Sequence, residues 1–545
     1  MIKIVLLFIP LLLTAEITLE KLEQKPKGHV RDFQIWLYMQ NDINSTQADT
    51  AYSLVNKYNH KIFKIYAQKT NKKTVKKQYK CSKGDIGFLL NESNASCVNA
   101  GLSYSSAMKL TRKHREVFAK VLKEEYPNKS GILTTMNKSP FVLNLLESGK
   151  DNYLKLFNGL GKSNRHRYFN IKLSEEHINE LAEGKGFARA VKLTVTDNSM
   201  DKMQEALLQL GQHDLSAQSY FFLALNALKF KAVKKASHYL EIAHSKAYYQ
   251  MDKDKALFWQ YLILNEHQYL KQLSSSTDIN IYTLFAREKL HLKTKNYFTK
   301  LDLEEKPSDY DLSDPYVWED VLNKIRASDK DKLPRLMEKF NSRSNEVANA
   351  FIYSKALDYK VHNYIMPYNK ATNALSSDEK ALIYALGRQE SHFIPSAISR
   401  SYALGVMQLM PFLIKDIARQ KKEKIDLQLM FDPYKNIEYS VKHLQYLQKY
   451  LYHPLFIAYA YNGGIGFTKK YLLKGRFSEG SYEPFLSMEL MANTESREYA
   501  KKVLANYVIY KKIIGDEVKI SSLFDILTEP SHTDKFRMKA YAKSL

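Results

Sequence analysis

Cysteine is almost missing from this chain: 545 residues contain two, Cys81 and Cys97. That excludes a disulfide-dense scaffold, and with no Cys-x-x-Cys and no His-Glu-x-x-His there is no dedicated metal site to read. Glycine (19) and proline (14) are too sparse for collagen-like or low-complexity chains. No hydrophobic run approaches the ~20 residues that cross a bilayer as a helix, and the mean hydropathy is −0.42. Acidic residues are short by comparison with basic ones, 58 against 82, for a formal charge of +24. What is present is 45% hydrophobic residues, enough for real cores. At ~100–200 residues per domain the length predicts two to four units.

A balance of +24 says nothing about fold but predicts attraction to a polyanion: nucleic acid, anionic lipid or an acidic polymer. Thirty-eight tyrosines and 26 phenylalanines supply surface for stacking on bases or sugars. The N-terminus narrows the choice. Met1-Ile2-Lys3 is a short basic start, Ile4 to Leu13 is apolar with Pro10 inside it, and Thr14-Ala15 precedes Glu16. The pattern predicts a secretory signal peptide over residues 1–15; the alternative is an N-terminal anchor, for which the run is short. Export sets nucleic acid aside and leaves peptidoglycan, with its carboxylate-bearing stem peptides, as the acidic polymer. It also gives Cys81 and Cys97 a reading as a disulfide, since Gly84, Gly87 and Asn91 let the segment between them turn. Two buried free thiols are the alternative.

From Asp32 to Lys300 the apolar spacing is helical. Phe221, Leu225 and Leu228 share one face, Val233, Ala236, Leu240 and Ala243 the next, and Leu257, Tyr261 and Leu264 a third. Short helices joined by polar turns predict an α-solenoid or superhelix over 16–304, with no exact internal repeat. Glu304 to Pro315, rich in Pro, Asp and Ser, is a break, and a smaller helical linker domain follows over 305–364. The last domain spans 365–545.

Chemistry is concentrated in that last domain. Ser376 and Glu379 form a capping-box pattern ahead of a helix in which Ile383, Leu386 and Glu390 share one stripe. A carboxyl on an apolar stripe is desolvated, its pKa rises, and it can serve as a general acid on an ether oxygen; an ordinary helix-end ion pair is the other reading. Gln408 stands between Met407 and Met410 as an amide among apolar residues, suited either to a sugar acetamido group or to local backbone. Pro411 can open the next helix. Asp432-Pro433 caps another, and Tyr461-Asn462-Gly463-Gly464 ends a helix in a glycine turn where an aromatic ring and an amide can meet a saccharide, or simply cap.

Together these segments resemble the soluble lytic transglycosylase family. The matching pieces are Arg388-Gln389-Glu390-Ser391, Ser399 nine residues after the Glu, Gly405 to Pro411, Asp432-Pro433 with Asn436-Ile437, Ala460 to Gly466, and Glu489 followed by Glu495-Ser496-Arg497-Glu498-Tyr499. The resemblance covers about residues 364–514. It implies an all-α chain: an N-terminal α-superhelical scaffold and a C-terminal lysozyme-like catalytic domain. It also implies cleavage of the MurNAc-β-1,4-GlcNAc bond of peptidoglycan in the periplasm, with a 1,6-anhydro product and no cofactor. Glu390 would be acid and then base, with Ser399, Met407, Gln408, Met410, Tyr461 and Asn462 lining the groove. Glu489 is a candidate second acidic residue, or a structural partner of Arg497. Departures are Tyr402 where the family has Gly, Gly463 for Ala and Ile465 for Pro; a large ring at Tyr402, near the groove, could narrow it and is expected to alter preference rather than abolish cleavage. One Glu acting twice fits the lack of an obvious second carboxylate near Glu390.

Other readings are a non-catalytic peptidoglycan-binding scaffold and a hydrolytic muramidase. A solenoid surface would also allow other cell-wall enzymes as partners. Gly161-Lys162-Ser163 lacks the first glycine of a phosphate loop, Leu156 standing in its place. His392, two residues past Glu390, points elsewhere on a helix and is read as facing solvent or packing in a turn rather than as catalytic. Asp42 to Thr46 and Glu92 to Ser96 fit an extended glycosylation sequon on surface loops.

Overall fold

A computed structural model describes residues 17–544. The expected leader over residues 1–15 lies outside the described residues. The architecture is all-α: helices follow one another along the chain, and among the described residues the strands are two-residue pieces, Tyr297–Phe298 paired in parallel with His362–Asn363.

The N-terminal part is a superhelix of short antiparallel helices, each packed on the next, as Ala217–Lys229, Val233–Lys246, Gln250–Leu264, His267–Ser275 and Ile281–Lys289 are. The apolar periodicity selects the buried faces in most of them: Phe221, Leu225 and Leu228 are buried, as are Ala236, Leu240 and Ala243. In the Gln250–Leu264 helix the expected face is only half-buried. Its buried face holds Asp254, Lys255, Ala256, Phe258, Trp259 and Gln260. The reason is tertiary: this helix also meets the C-terminal domain, where Phe258 packs edge-on against Phe485 at 4.8 Å.

Cys81 at the end of Lys73–Ser82 is bonded to Cys97 in Ala95–Gly101, with Cα atoms 5.1 Å apart. Asn44 and Asn94, the asparagines of the two sequons, are exposed and each caps a helix, accepting from the N–H of Gln47 and Cys97. Side-chain oxygens at these positions satisfy N–H groups that a helix start leaves unpaired.

The linker region comprises Pro315–Ala327, Leu333–Glu338 and Glu346–Ala356. Asp314 caps the first through the Tyr316 N–H. The short parallel pair ties the end of this region back to the end of the superhelix. The border at 364–365 is not a free linker: Tyr364 and Ile365 are fully buried, and Tyr510 donates to the Ile365 carbonyl at 3.1 Å.

In the C-terminal domain the core is built on the long helix Thr494–Ile514, packed against Ser377–Ser391 and Pro454–Gly463. Ser376 and Glu379 form the capping box. The domain also receives the start of the chain. The helix His29–Tyr38 lies against the loop after Ser399, with His29, Phe33 and Trp36 around the Tyr402 ring at 5.6, 5.4 and 5.2 Å. His29 Nε2 bonds the Ser399 carbonyl at 2.9 Å, and Lys61 donates to the Ser401 carbonyl at 2.6 Å. Glu319 of the linker region caps the same helix by accepting the His29 N–H at 2.6 Å. First and last parts of the chain therefore meet.

Candidate active site

Glu390 sits in the last turn of Ser377–Ser391, half-buried, one residue before the helix ends. His392 closes that helix in the left-handed region, φ 52°, and packs edge-on against Phe351 at 5.4 Å. Burial pushes the Glu390 carboxyl up to about 7, against a hydrogen bond from Tyr499 that favours the charged form. Tyr499 donates to Glu390 Oε1 at 2.6 Å. Glu495, one turn earlier on the same long helix, pushes the pKa further up. A carboxyl poised near neutrality can give up a proton and take one back without a large penalty either way.

Beside it the segment 398–411 is folded by its own backbone. Ile398 bridges Leu404, and Leu404 bridges Leu409. Ser399 Oγ accepts the Ala403 N–H at 2.9 Å, closing a turn that needs Tyr402 at φ 61°. Gly405, at φ 74°, admits no side chain: a Cβ there would fall 2.2 Å from the Met430 carbonyl oxygen and 2.4 Å from Asn436 Nδ2. Asn436 is completely buried and holds this loop by three bonds, accepting from the Met407 N–H and donating to the Leu404 and Met430 carbonyls. Gln408 donates to the carbonyls of Ala397 and Gly405. Ser391 Oγ donates to the Val406 carbonyl at 2.7 Å, which ties the loop to the helix end that carries Glu390.

Tyr461 comes from the third wall, the helix Pro454–Gly463. Its hydroxyl donates to the Met407 carbonyl at 2.9 Å and meets Ser440 Oγ at 3.0 Å. Burial raises its pKa, and the Glu390 charge raises it further. Asn462 is held by Ser496, which donates to its Oδ1 at 2.7 Å, and donates in turn to Glu495 at 3.3 Å.

Glu390, Ser399, Gln408, Met410, Tyr461 and Asn462 are all half-buried; of these Tyr461 feels the Glu390 charge directly, and Asn462 is bonded to Glu495, which acts on the same carboxyl. Two expected lining residues are not. Met407 is completely buried and its sulfur lies over Gly387, so its side chain belongs to the core beneath the site. Glu489 is 1% exposed and bonded to Lys501 and Tyr282 rather than turned to a groove. The Tyr402 expectation also needs correcting: the ring is fully buried against His29, Phe33 and Trp36, on the side of the helix His29–Tyr38, and does not narrow the site. A second carboxylate does lie near Glu390, namely Glu495. Sequence reasoning quoted Glu495 and Tyr499 only as parts of a pattern. The i, i+4 spacing that places both on one helix face was the signal available.

Residues 366–482 match the family described as Transglycosylase SLT domain. The match takes in Glu390, the 398–411 loop and Asn462, and it ends before the long helix that supplies Tyr499. A soluble lytic murein transglycosylase of Escherichia coli K12 is 26% identical over 219 residues, 38% of this chain and 32% of that protein. A membrane-bound lytic murein transglycosylase C of Edwardsiella ictaluri is 31% identical over 177 residues, 29% of this chain and 49% of that one. The chain thus spans about a third to a half of the length of these curated relatives. The crystal structure of the 70 kDa soluble lytic transglycosylase of E. coli superposes with a TM-score of 0.50 at 16% identity, over 93% of this chain and 84% of that one. That likeness extends the fold relationship beyond the SLT domain to the helical scaffold. The fold class is an α-superhelix followed by a lysozyme-like domain of SLT type.

Proposed function

We propose that this protein is an exported peptidoglycan lytic transglycosylase that cleaves the MurNAc-β-1,4-GlcNAc bond without water and leaves a 1,6-anhydro-MurNAc end. The observation that carries the reading is Glu390, a carboxyl raised to about 7 at the end of an SLT-family helix. The names of the relatives support murein as the polymer. The basic surplus of the chain suits an acidic strand.

In the first step protonated Glu390 gives its proton to the leaving glycosidic oxygen as the C1–O bond breaks. The MurNAc acetamido oxygen covers the anomeric carbon from the opposite side. In the second step the Glu390 carboxylate takes the C6 hydroxyl proton while O6 bonds to C1 and the acetamido group departs. The proton count closes with Glu390 as it began. Tyr499 serves the second state, since its hydrogen bond stabilises the carboxylate between the steps. Ser399, Gln408, Met410, Tyr461 and Asn462 are assigned to the saccharide. Met407 and Glu489 are not. Export to the periplasm rests on the leader read in residues 1–15. The helical surface is open to other cell-wall enzymes.

Glu495 favours a second reading, a hydrolytic muramidase in which that carboxylate activates water. Mass spectrometry of soluble products from purified sacculi separates the two, with Glu390→Gln alongside. Anhydro-muropeptides absent with the variant establish the transglycosylase. Reducing-end products point to hydrolysis. No product despite pelleting with sacculi would leave a binding scaffold.

A further inference from the structure

The long helix Thr494–Ile514 is gripped on two sides. One side faces the Glu390 helix: Tyr499 bonds Glu390, and Asn506 donates to the Ala385 carbonyl and accepts from Arg388. Lys501 lies about 200° around the helix from Tyr499 and faces the superhelix. Its ammonium is fully buried, 2.9 and 3.1 Å from the two Glu489 oxygens and 3.1 Å from the Tyr282 hydroxyl. Tyr282, on Ile281–Lys289, is 1% exposed and donates to Glu489 at 2.7 Å.

The grip is wider than that junction. Burial works against the Glu498 carboxylate, yet Lys501, Lys255 and Arg497 together hold its pKa well below the usual range. Lys255 comes from Gln250–Leu264. Arg497 lies over the Phe222 ring at 5.2 Å, and Lys192 donates to Thr494 at the first residue of the helix. Four superhelix elements thus hold one face of the helix whose other face holds Glu390. Buried charges tolerate little displacement, because a slip that unpairs one leaves it desolvated without compensation.

We propose that Tyr282 and Lys501 are positioning residues for Glu390. Through their junction with Glu489 the superhelix sets the register of the long helix, and with it the bond from Tyr499 to the carboxyl. The inference rests on the function proposed above for Glu390. The groups facing that carboxyl are Tyr499 and Glu495 from the long helix and Tyr461 from Pro454–Gly463. Burial is the largest influence and stays while the two helices remain packed; of the two groups on the long helix, Tyr499 lowers the Glu390 pKa by more than Glu495 raises it, so a register slip that lengthens the Tyr499 bond without hydrating the carboxyl moves it up.

The test is Tyr282→Phe, which removes one hydroxyl and keeps the ring. Turnover of sacculi is measured across pH, and the Glu390 carboxyl is titrated by 13C NMR in the full-length protein. Expected are a kcat about ten-fold lower with little change in KM, and a Glu390 pKa shifted upward, part-way to that of Tyr499→Phe. Glu288→Gln is the control: it weakens a different contact between superhelix and C-terminal domain, at Ser521, by removing the charge and one of the two acceptor oxygens, and should leave kcat and titration alone. Wild-type kcat and titration in folded Tyr282→Phe overturn the proposal, and so does an equal shift in the Glu288→Gln control. Should Tyr282→Phe not fold, Glu489→Gln/Lys501→Met, which leaves no unpaired charge between those two, decides by the same readouts. A wild-type protein that releases nothing from sacculi sinks the proposed activity instead, and the NMR titration still reads the positioning.

Discussion

Tyr499 donates a 2.6 Å hydrogen bond to Glu390 Oε1 from 109 residues further along the chain. The bond joins the end of one helix to the second turn of another, so its length depends on how the two helices pack. It sets a balance at the carboxyl: burial drives the pKa up, the phenol pulls it back, and the result lies at about 7.

The first prediction concerns pH. Product release from sacculi should fall on the alkaline side with an apparent pKa of about 7, as Glu390 loses its proton before reaching the substrate. Tyr499→Phe removes the group that favours the carboxylate, so the limb should move to higher pH while kcat falls. A limb that stays in place would separate Tyr499 from Glu390 titration.

Stability should report the same carboxyl. Its folded pKa lies above its unfolded value of 4.5, so between 4.5 and about 7 the folded state binds more protons. Stability therefore falls as pH rises through that window, and above it the penalty reaches up to about 3 kcal/mol. Glu390→Gln carries no charge to desolvate. Its thermal midpoint should exceed wild type at pH 8 and match it at pH 4. Equal midpoints at pH 8 would show that the carboxyl is hydrated.

Tyr402 should matter for docking rather than for the groove. Its ring is fully buried among His29, Phe33 and Trp36, and truncating such a residue costs about 3–5 kcal/mol. Tyr402→Ala should expose the N-terminal helices to limited proteolysis while cleavage of short glycan fragments stays near wild type. Tyr402→Phe should be neutral or stabilising, because the buried hydroxyl has no hydrogen-bond partner. A change of substrate preference with the N-terminus still docked would return the ring to the groove.

The Cys81–Cys97 bond closes a loop of 16 residues. In the chain-entropy account such a loop stabilises by about 3 kcal/mol. Reductant, or Cys81→Ala/Cys97→Ala, should lower the thermal midpoint by a matching amount without altering kcat, since the bond lies in the superhelix. An unchanged midpoint would mean that the helices Lys73–Ser82 and Ala95–Gly101 are held by packing alone.

Local chemistry made much of this protein legible. Ser376 and Glu379 announce a helix start because their side chains satisfy N–H groups three residues away, and the capping box forms. Proline at 411, 433 and 454 opens three helices for an equally local reason, a fixed φ and no N–H to waste. Glu390 could be picked out because its stripe and its helix end lie within one segment. The Gln250–Leu264 face could not: Lys255 and Phe258 are buried by a domain more than two hundred residues away in sequence, and a periodicity records how apolar residues are spaced, not what they meet.

The amino-acid sequence by itself determined the helical class, the capped helix starts and the place of Glu390 on an apolar stripe at a helix end. Each depends on groups within a few residues of one another. Only the tertiary structure decided that Glu489 is locked to Lys501 and Tyr282, that Met407 is core, that Tyr402 faces the helix His29–Tyr38, and that Tyr499 and Glu495 reach Glu390. Those outcomes depend on which of a helix's faces meets which neighbour. A single helix leaves that choice open, and the packing of the whole chain settles it.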